Sequence, residues 1–343
     1  MNIFEYKYPV GNMNPVEKKI VTKNVCVDSI FRQFYTKTKS SSFTFALPEI
    51  INNVISMKVT SVEFPNCWYT FDSKTRSNEF TITLYNTPTP SDISGSYPDV
   101  IQHTIRIPEG NYRSDVFSTV LNNIFSNIRG GLEFIYFNVN ENNSRCCFST
   151  KAYGDDAINT YTNADLLLLD PSNNFYFTLD FALDSDPDRP LYQNAGWMMG
   201  FRQASYTVKY SAEPVSDLHS ASFLRKDYNW WLDSESSYGS NMENYLYLEI
   251  DDFHKNFITN SVVGSSIRGN YLGNNIIGRI SVISGMFTTI TNTASDKVFK
   301  KREYFGPVKI EKFQVRLLNR FGEPIQMNDN DFSFTVELEQ IYS

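Results

Sequence analysis

The feature that most constrains this chain is a strict two-residue alternation near its C-terminus. Phe313, Val315 and Leu317 alternate with Lys312, Gln314 and Arg316; further on, Phe332, Phe334, Val336 and Leu338 alternate with Ser333, Thr335, Glu337 and Glu339. Successive side chains of a strand point to opposite faces, so each run buries one face and wets the other, a period that a helix cannot use. Between the runs lie Gly322, Pro324 and the stretch from Asn328 to Asp331, residue types that favour turns.

The same reading places short strands at 43–47, 54–64, 79–85, 101–107, 132–139, 145–150, 174–181, 205–210 and 244–251. Pro48, which has no N–H to donate, predicts an end to the first of these. The aromatic content, 27 Phe, 21 Tyr and 4 Trp, suits half-buried pleated surfaces. One helix is predicted over 113–128. Val116, Val120, Ile124 and Ile128 recur every four residues, Phe117, Leu121 and Phe125 lie on the adjoining stripe, Ser114 or Asn111 is the candidate cap, and Gly130-Gly131 follows. The fold class is therefore all-β: a jelly-roll-like β-sandwich with long loops, one amphipathic helix and an extended N-terminal arm.

The first forty residues lack a sustained period and end in the polar run from Thr36 to Ser42, so residues 1–40 are expected to form the arm. Residues 41–343 are the sandwich region, with one sandwich or two subdomains left open and an irregular insertion expected near 183–243.

A net charge of −7 disfavours grip on a phosphate backbone, so nucleic acid is not expected as a partner. No apolar run approaches the roughly 18 residues of a spanning helix. The start of the chain has no charged-then-apolar leader pattern. Cys26, Cys67, Cys146 and Cys147 have no metal-ligand spacing and are read as free thiols of a reducing compartment.

Chemistry is sparse. His103, His219 and His254 fit no metal or nucleophile motif, and His103 shares a strand face with Ile105 and Ile107, as a core or edge histidine would. Asp184, Asp186 and Asp188 have the alternation of a calcium loop, but Pro187 and Pro190 interrupt them, and a solvated acidic loop is expected. Asp251 and Asp252 could act on a glycosidic bond only with an unidentified partner carboxylate. No catalytic residue, metal or cofactor is assigned. Trp197, Trp230 and Trp231 could stack on sugars, yet tryptophans also anchor protein interfaces. A carbohydrate-binding or receptor-attachment β-sandwich is thus the alternative function.

Several stretches resemble minor capsid proteins of large and giant double-stranded DNA viruses, including their vertex (penton) jelly-roll proteins. They are residues 27–32, 43–48, 54–66 (VISMKVTSVEFPN), 107–112, 196–202 (GWMMGFR), 244–252 (NYLYLEIDD) and, most specifically, 304–342; residues 211–240 match nothing in that pattern. The resemblance implies a non-enzymatic subunit of an icosahedral capsid, located in the virion and assembled in the host cell cytoplasm. Its partners would be major and minor capsid proteins and copies of itself. Candidate interface groups are Phe31, Arg32, Phe34 and Tyr35 in the arm, and Tyr228, Trp230 and Trp231 in an aromatic loop.

Overall fold

The computed structural model describes residues 19–90, 92–150, 174–182, 189–209, 231–239, 243–257, 275–282, 285, 287–293 and 299–342; the side chains of Lys19, Trp231, Thr293 and Tyr342 are not described. The fold is all-β. In chain order the strands are β1 (Lys19–Asp28), β2 (Ser42–Pro65), β3 (Glu79–Tyr85), β4 (Val100–Arg106), β5 (Ile135–Val139), β6 (Arg145–Thr150) and β7 (Tyr176–Asp180). They continue with β8 (Ser205–Val208), β9 (Trp231–Ser237), β10 (Tyr245–Asp251), β11 (Ile276–Ser281), β12 (Thr289–Thr293), β13 (Lys301–Leu318) and β14 (Ser333–Tyr342). The α-helices are α1 (Ser114–Ile128) and the single turn α2 (Ala195–Met198). The chain divides into two compact units, one from Met1–Trp68 with Glu243–Ser343, the other Tyr69–Met242.

The first unit is built on one antiparallel sheet in the order β1-β14-β2-β13-β10-β11, with β12 pairing β2 beside this path. The long strand β2 lies between β13 and β14, with Phe45 opposite Phe313 on one side and Val62 opposite Phe334 on the other, and both ladders run together from Val54 to Lys58. Phe43, Phe313 and Leu248 share one buried cluster with Val59, Phe334 and Val336. Each large side chain taken from water there contributes on the order of 1.5–3 kcal/mol.

Two expectations change here. Pro48 does not end a strand, because it lies where the β2–β13 ladder jumps from Ala46 to Ile51 and no N–H is demanded. The expected arm is ordered from Lys19 onward: β1 pairs β14 along its whole length, from Lys19 opposite Tyr342 to Asp28 opposite Ser333. An edge strand needs only one apolar face and one partner, so its period is weak. Val27 is buried and Val25 packs on the core, while Ile20 and Val21 are exposed.

The second unit contains a four-stranded antiparallel sheet, β4-β3-β7-β8, and a three-stranded one, β5-β6-β9. Phe80, Ile82, Leu84, Phe177 and Leu179 of the first share a core with Phe137 and Phe148 of the second and with α1. The helix buries Phe117, Leu121, Asn122 and Phe125, while Val116 and Ile128 are exposed. A four-residue repeat advances about 40° per step on a helix of 3.6 residues per turn, so the longer valine–isoleucine series walks off the buried face. Arg113 occupies the N-cap without a side-chain bond, in place of the expected Ser114 or Asn111. Asn122 joins helix to sheet by giving and taking hydrogen bonds with the Phe137 backbone at 2.8 and 2.9 Å.

The GWMMGFR stretch has a steric basis. A Cβ on Gly196 would meet the Phe181 ring at 2.4 Å, and one on Gly200, whose φ is +92°, would meet the Ser236 carbonyl oxygen at 2.1 Å. Of the region expected as irregular, 183–243, the described parts include α2, β8 and β9, and β9 pairs with β6.

Candidate protein interface

The chain leaves β1 through Asp28, whose carboxylate accepts from Ile30 N at 2.9 Å and caps a short 3₁₀ turn, Ser29–Phe31. The following turn closes on the Phe34 carbonyl, which accepts from Lys37 N at 2.7 Å, Thr38 N at 3.0 Å and Thr38 Oγ1 at 3.1 Å. Phe34 holds φ of +55°, a left-handed conformation that costs a residue with a Cβ about 1–2 kcal/mol. Something must hold it there.

Arg32 does. Its guanidinium donates to the carbonyls of Ser29 at 2.8 Å, Thr38 at 3.2 Å and Tyr35 at 3.4 Å, pairs with Asp331 at 2.5 Å, and lies 3.8 Å from the Tyr35 ring centre. Asp331 also accepts from Ser29 Oγ at 2.7 Å and Tyr35 Oη at 3.1 Å. Ser29 N in turn donates to the Phe332 carbonyl at 2.9 Å, so the turn is fastened to the start of β14.

Of the four candidates in this segment, Arg32 is 7% exposed and acts as the anchor, since a guanidinium spent on internal carbonyls offers little to a neighbour. Phe31 and Phe34 are 75% and 72% exposed, with Ile30 and Tyr35 beside them. The four residues thus divide into one buried anchor, Arg32, and three exposed aromatics. Ser29 and Asp331 carried no local signal, because their function exists only once β1 and β14 are paired.

Tyr228 and Trp230 lie outside the described residues. Trp231 opens β9 opposite Ser149, and its side chain is not described. Trp197 is engaged internally, with the Arg202 guanidinium 4.0 Å from its ring centre and Tyr192 edge-on at 6.2 Å.

The other chemical candidates are mostly used in the fold. Asp252 is buried, pairs with Arg302 at 3.2 Å and accepts from the Tyr304 hydroxyl. Arg302 donates to the Ile250 carbonyl at 2.9 Å and lies over Phe257 at 4.3 Å, and burial, with the Asp252 charge, pushes the Tyr304 phenol up. His103 Nε2 lies 2.9 Å from the Gly130 carbonyl, as an edge histidine would, and His254 Nε2 lies 2.8 Å from that of Lys309. His219 and the aspartates 184, 186 and 188 lie outside the described residues. Among the described residues no group of three or more His, Cys, Asp or Glu could hold a metal, and no helix is long and apolar enough to cross a membrane. All four cysteines are free.

No protein-family model matches the chain, and no curated protein does. Among solved structures it is similar to the penton protein of mavirus, at 10% identity over 94% of this chain and 100% of that one, with a TM-score of 0.44. It is also similar to a chain of the Sputnik virophage, at 11% identity over 94% of this chain and 98% of that one, with a TM-score of 0.40.

Proposed function

We propose that this chain is a structural subunit of an icosahedral virus shell, a minor capsid or vertex protein, that works by packing against other capsid proteins and performs no catalysis. The observation that carries the reading is the pinned turn: two phenylalanine rings held in solvent by a buried ion pair and its backbone bonds. A turn whose backbone is already pinned loses little backbone freedom when a neighbour covers it, so more of the burial of its rings, about 1.5–3 kcal/mol each, goes into binding. Many such moderate contacts suit a subunit that must touch several neighbours.

The antiparallel fold and the resemblance of residues 304–342 to capsid proteins support the same role. That stretch forms β13 and β14, which flank β2 within the sheet of the first unit. Free thiols fit assembly in a reducing host cytoplasm, and the net charge of −7 fits a shell protein better than a genome binder.

The alternative, a carbohydrate-binding or receptor-attachment sandwich, needs aromatic faces open to a sugar, and Arg202 stacked on Trp197 counts against it. The test is to probe gradient-purified particles with antibody to this chain. Co-migration with the shell through high-salt washing is the expected result. Its absence from particles, combined with binding to a glycan array, would favour the alternative.

A further inference from the structure

β1 is the outermost strand of the first unit's sheet, and its register with β14 runs for ten residues, from Lys19 to Asp28, without a break. Ser29 N, the next step of that register, donates to the Phe332 carbonyl at 2.9 Å. Because an antiparallel ladder alternates, the backbones of Val21, Lys23, Val25 and Val27 turn toward β14, and those of Ile20, Thr22, Asn24, Cys26 and Asp28 turn outward. Among the described residues no strand or backbone group pairs with that outward row. The far end of the same sheet differs: beyond β11, Lys300 N donates to the Ile277 carbonyl at 2.8 Å and Phe299 bridges to Gly278. Free edges are usually blunted by a proline, a bulge or a charge held over them. β1 has neither proline nor bulge, and Lys23 is drawn to Glu49 of β2. Ile20 and Val21 are 59% and 44% exposed.

We infer that the bare edge of β1 receives an extended segment of a different shell polypeptide, which joins the sheet as a strand beside β1. A row of alternating donors and acceptors is complementary to another extended backbone. Ten residues of strand span about 30 Å, so the segment stays extended over a comparable length. A second copy of this chain has little to offer. Its other described strands of ten residues or more, β2, β13 and β14, are each flanked on both sides, which leaves its own β1. Side chains narrow the occupant further. Val27 is buried, Val25 packs on the core and Val21, on the same face, is exposed, so the added strand carries apolar residues at alternate positions and continues that layer. The edge runs directly into the turn that presents Phe31 and Phe34, which makes strand and rings one continuous contact. The inference rests on the packing role proposed above and adds the form of the partner.

Amide hydrogen exchange read by mass spectrometry tests it on the full wild-type chain, isolated and in purified particles. In the isolated chain the amides of Ile20, Thr22, Asn24, Cys26 and Asp28 should exchange fast and those turned to β14 slowly; in particles the outward set should slow by about a hundredfold or more. Asn24→Pro removes an outward donor that β14 does not use, so the variant should fold, by near-ultraviolet circular dichroism, yet enter particles at about a tenth of the wild-type level or less. Benzophenone maleimide attached to Cys26 in assembled particles identifies the occupant, because the other three thiols are buried, and photoadducts on a different polypeptide are expected. Outward amides that stay fast in particles would overturn the inference and leave the packing role standing, whereas absence of the chain from particles would remove both. Slow outward amides in the isolated chain would also overturn it, since the chain or a copy of it then covers the edge. So would photoadducts confined to copies of this chain, or a folded Asn24→Pro variant that enters particles as wild type does. Should that variant fail to fold, the exchange comparison decides.

Discussion

Arg32 and Asp331 form a largely buried ion pair although 299 residues separate them in the chain. The pair fastens the exit from β1 to the entry of β14, and with it the backbone that carries the exposed phenylalanines. Arg32→Ala should therefore lower the unfolding free energy by about 3 kcal/mol, because it leaves Asp331 and three carbonyls without their partner. Arg32→Lys should recover little of this, since an ammonium cannot reproduce the planar fork. Urea unfolding measures both. A loss below about 0.5 kcal/mol for Arg32→Ala would mean that the turn is not pinned.

Phe34 offers the opposite effect at the neighbouring position. Glycine adopts its left-handed backbone without strain, and the lost ring has little to leave behind because it faces solvent. Phe34→Gly should raise stability, or leave it unchanged, by up to about 1 kcal/mol. It should also weaken whatever contact the turn makes. A large destabilisation would show that the ring packs within its own molecule.

Two glutamates of the first unit make stability depend on pH. Burial pushes up the carboxyls of Glu243, which faces Arg320 and Glu323, and Glu249, which faces Arg316, Asp251 and Arg302. A raised carboxyl binds its proton more tightly in the folded chain than in the unfolded one. Its contribution is present below the ordinary value of 4.5 and is lost as pH rises through the raised value. The Glu243→Gln/Glu249→Gln variant has nothing to ionise there, so its stability relative to wild type should improve as pH rises above 4.5. Urea midpoints across that window report the difference, and parallel profiles would contradict the assignment. Glu339, held low by Lys301 and Ser56, acts in the opposite direction but is common to both proteins.

The four thiols should divide sharply. Burial pushes Cys67 up to about 11 and Cys146 well above the ordinary thiol value, and Cys147 is buried as well, whereas Cys26 is exposed on β1. Native protein at mildly alkaline pH should label rapidly at one site, and Cys26→Ser should abolish that phase. Two fast sites would show that one of the buried thiols is open to solvent.

The sequence made β13 and β14 legible because one buried and one wet face leave a period that needs no knowledge of partners, as Phe313 to Leu317 and Phe332 to Leu338 illustrate. It hid β1 and β9. In β1 the apolar residues fall on both faces, and β9 carries the polar run Asp233, Ser234, Glu235 and Ser236, whose bonds to the Cys146 backbone and the Tyr206 hydroxyl join residues far apart in the chain. Pro48 misled for a related reason, since its effect depends on whether the opposite strand asks for a donor. The candidate site was half legible: Phe31 and Phe34 stand out as aromatics in a polar segment, but Arg32 separates from them only through its buried pair with Asp331.

The central claim, that this protein acts by packing into a shell through its pinned aromatic turn, is tested most directly by quantitative mass spectrometry of purified particles assembled with wild type or with the Phe31→Ser/Phe34→Ser variant. The account predicts a fixed stoichiometry of wild type in the particles and loss of the variant, with the variant recovered folded in the soluble fraction. Equal incorporation of the two, or absence of wild type from the particles, would contradict it.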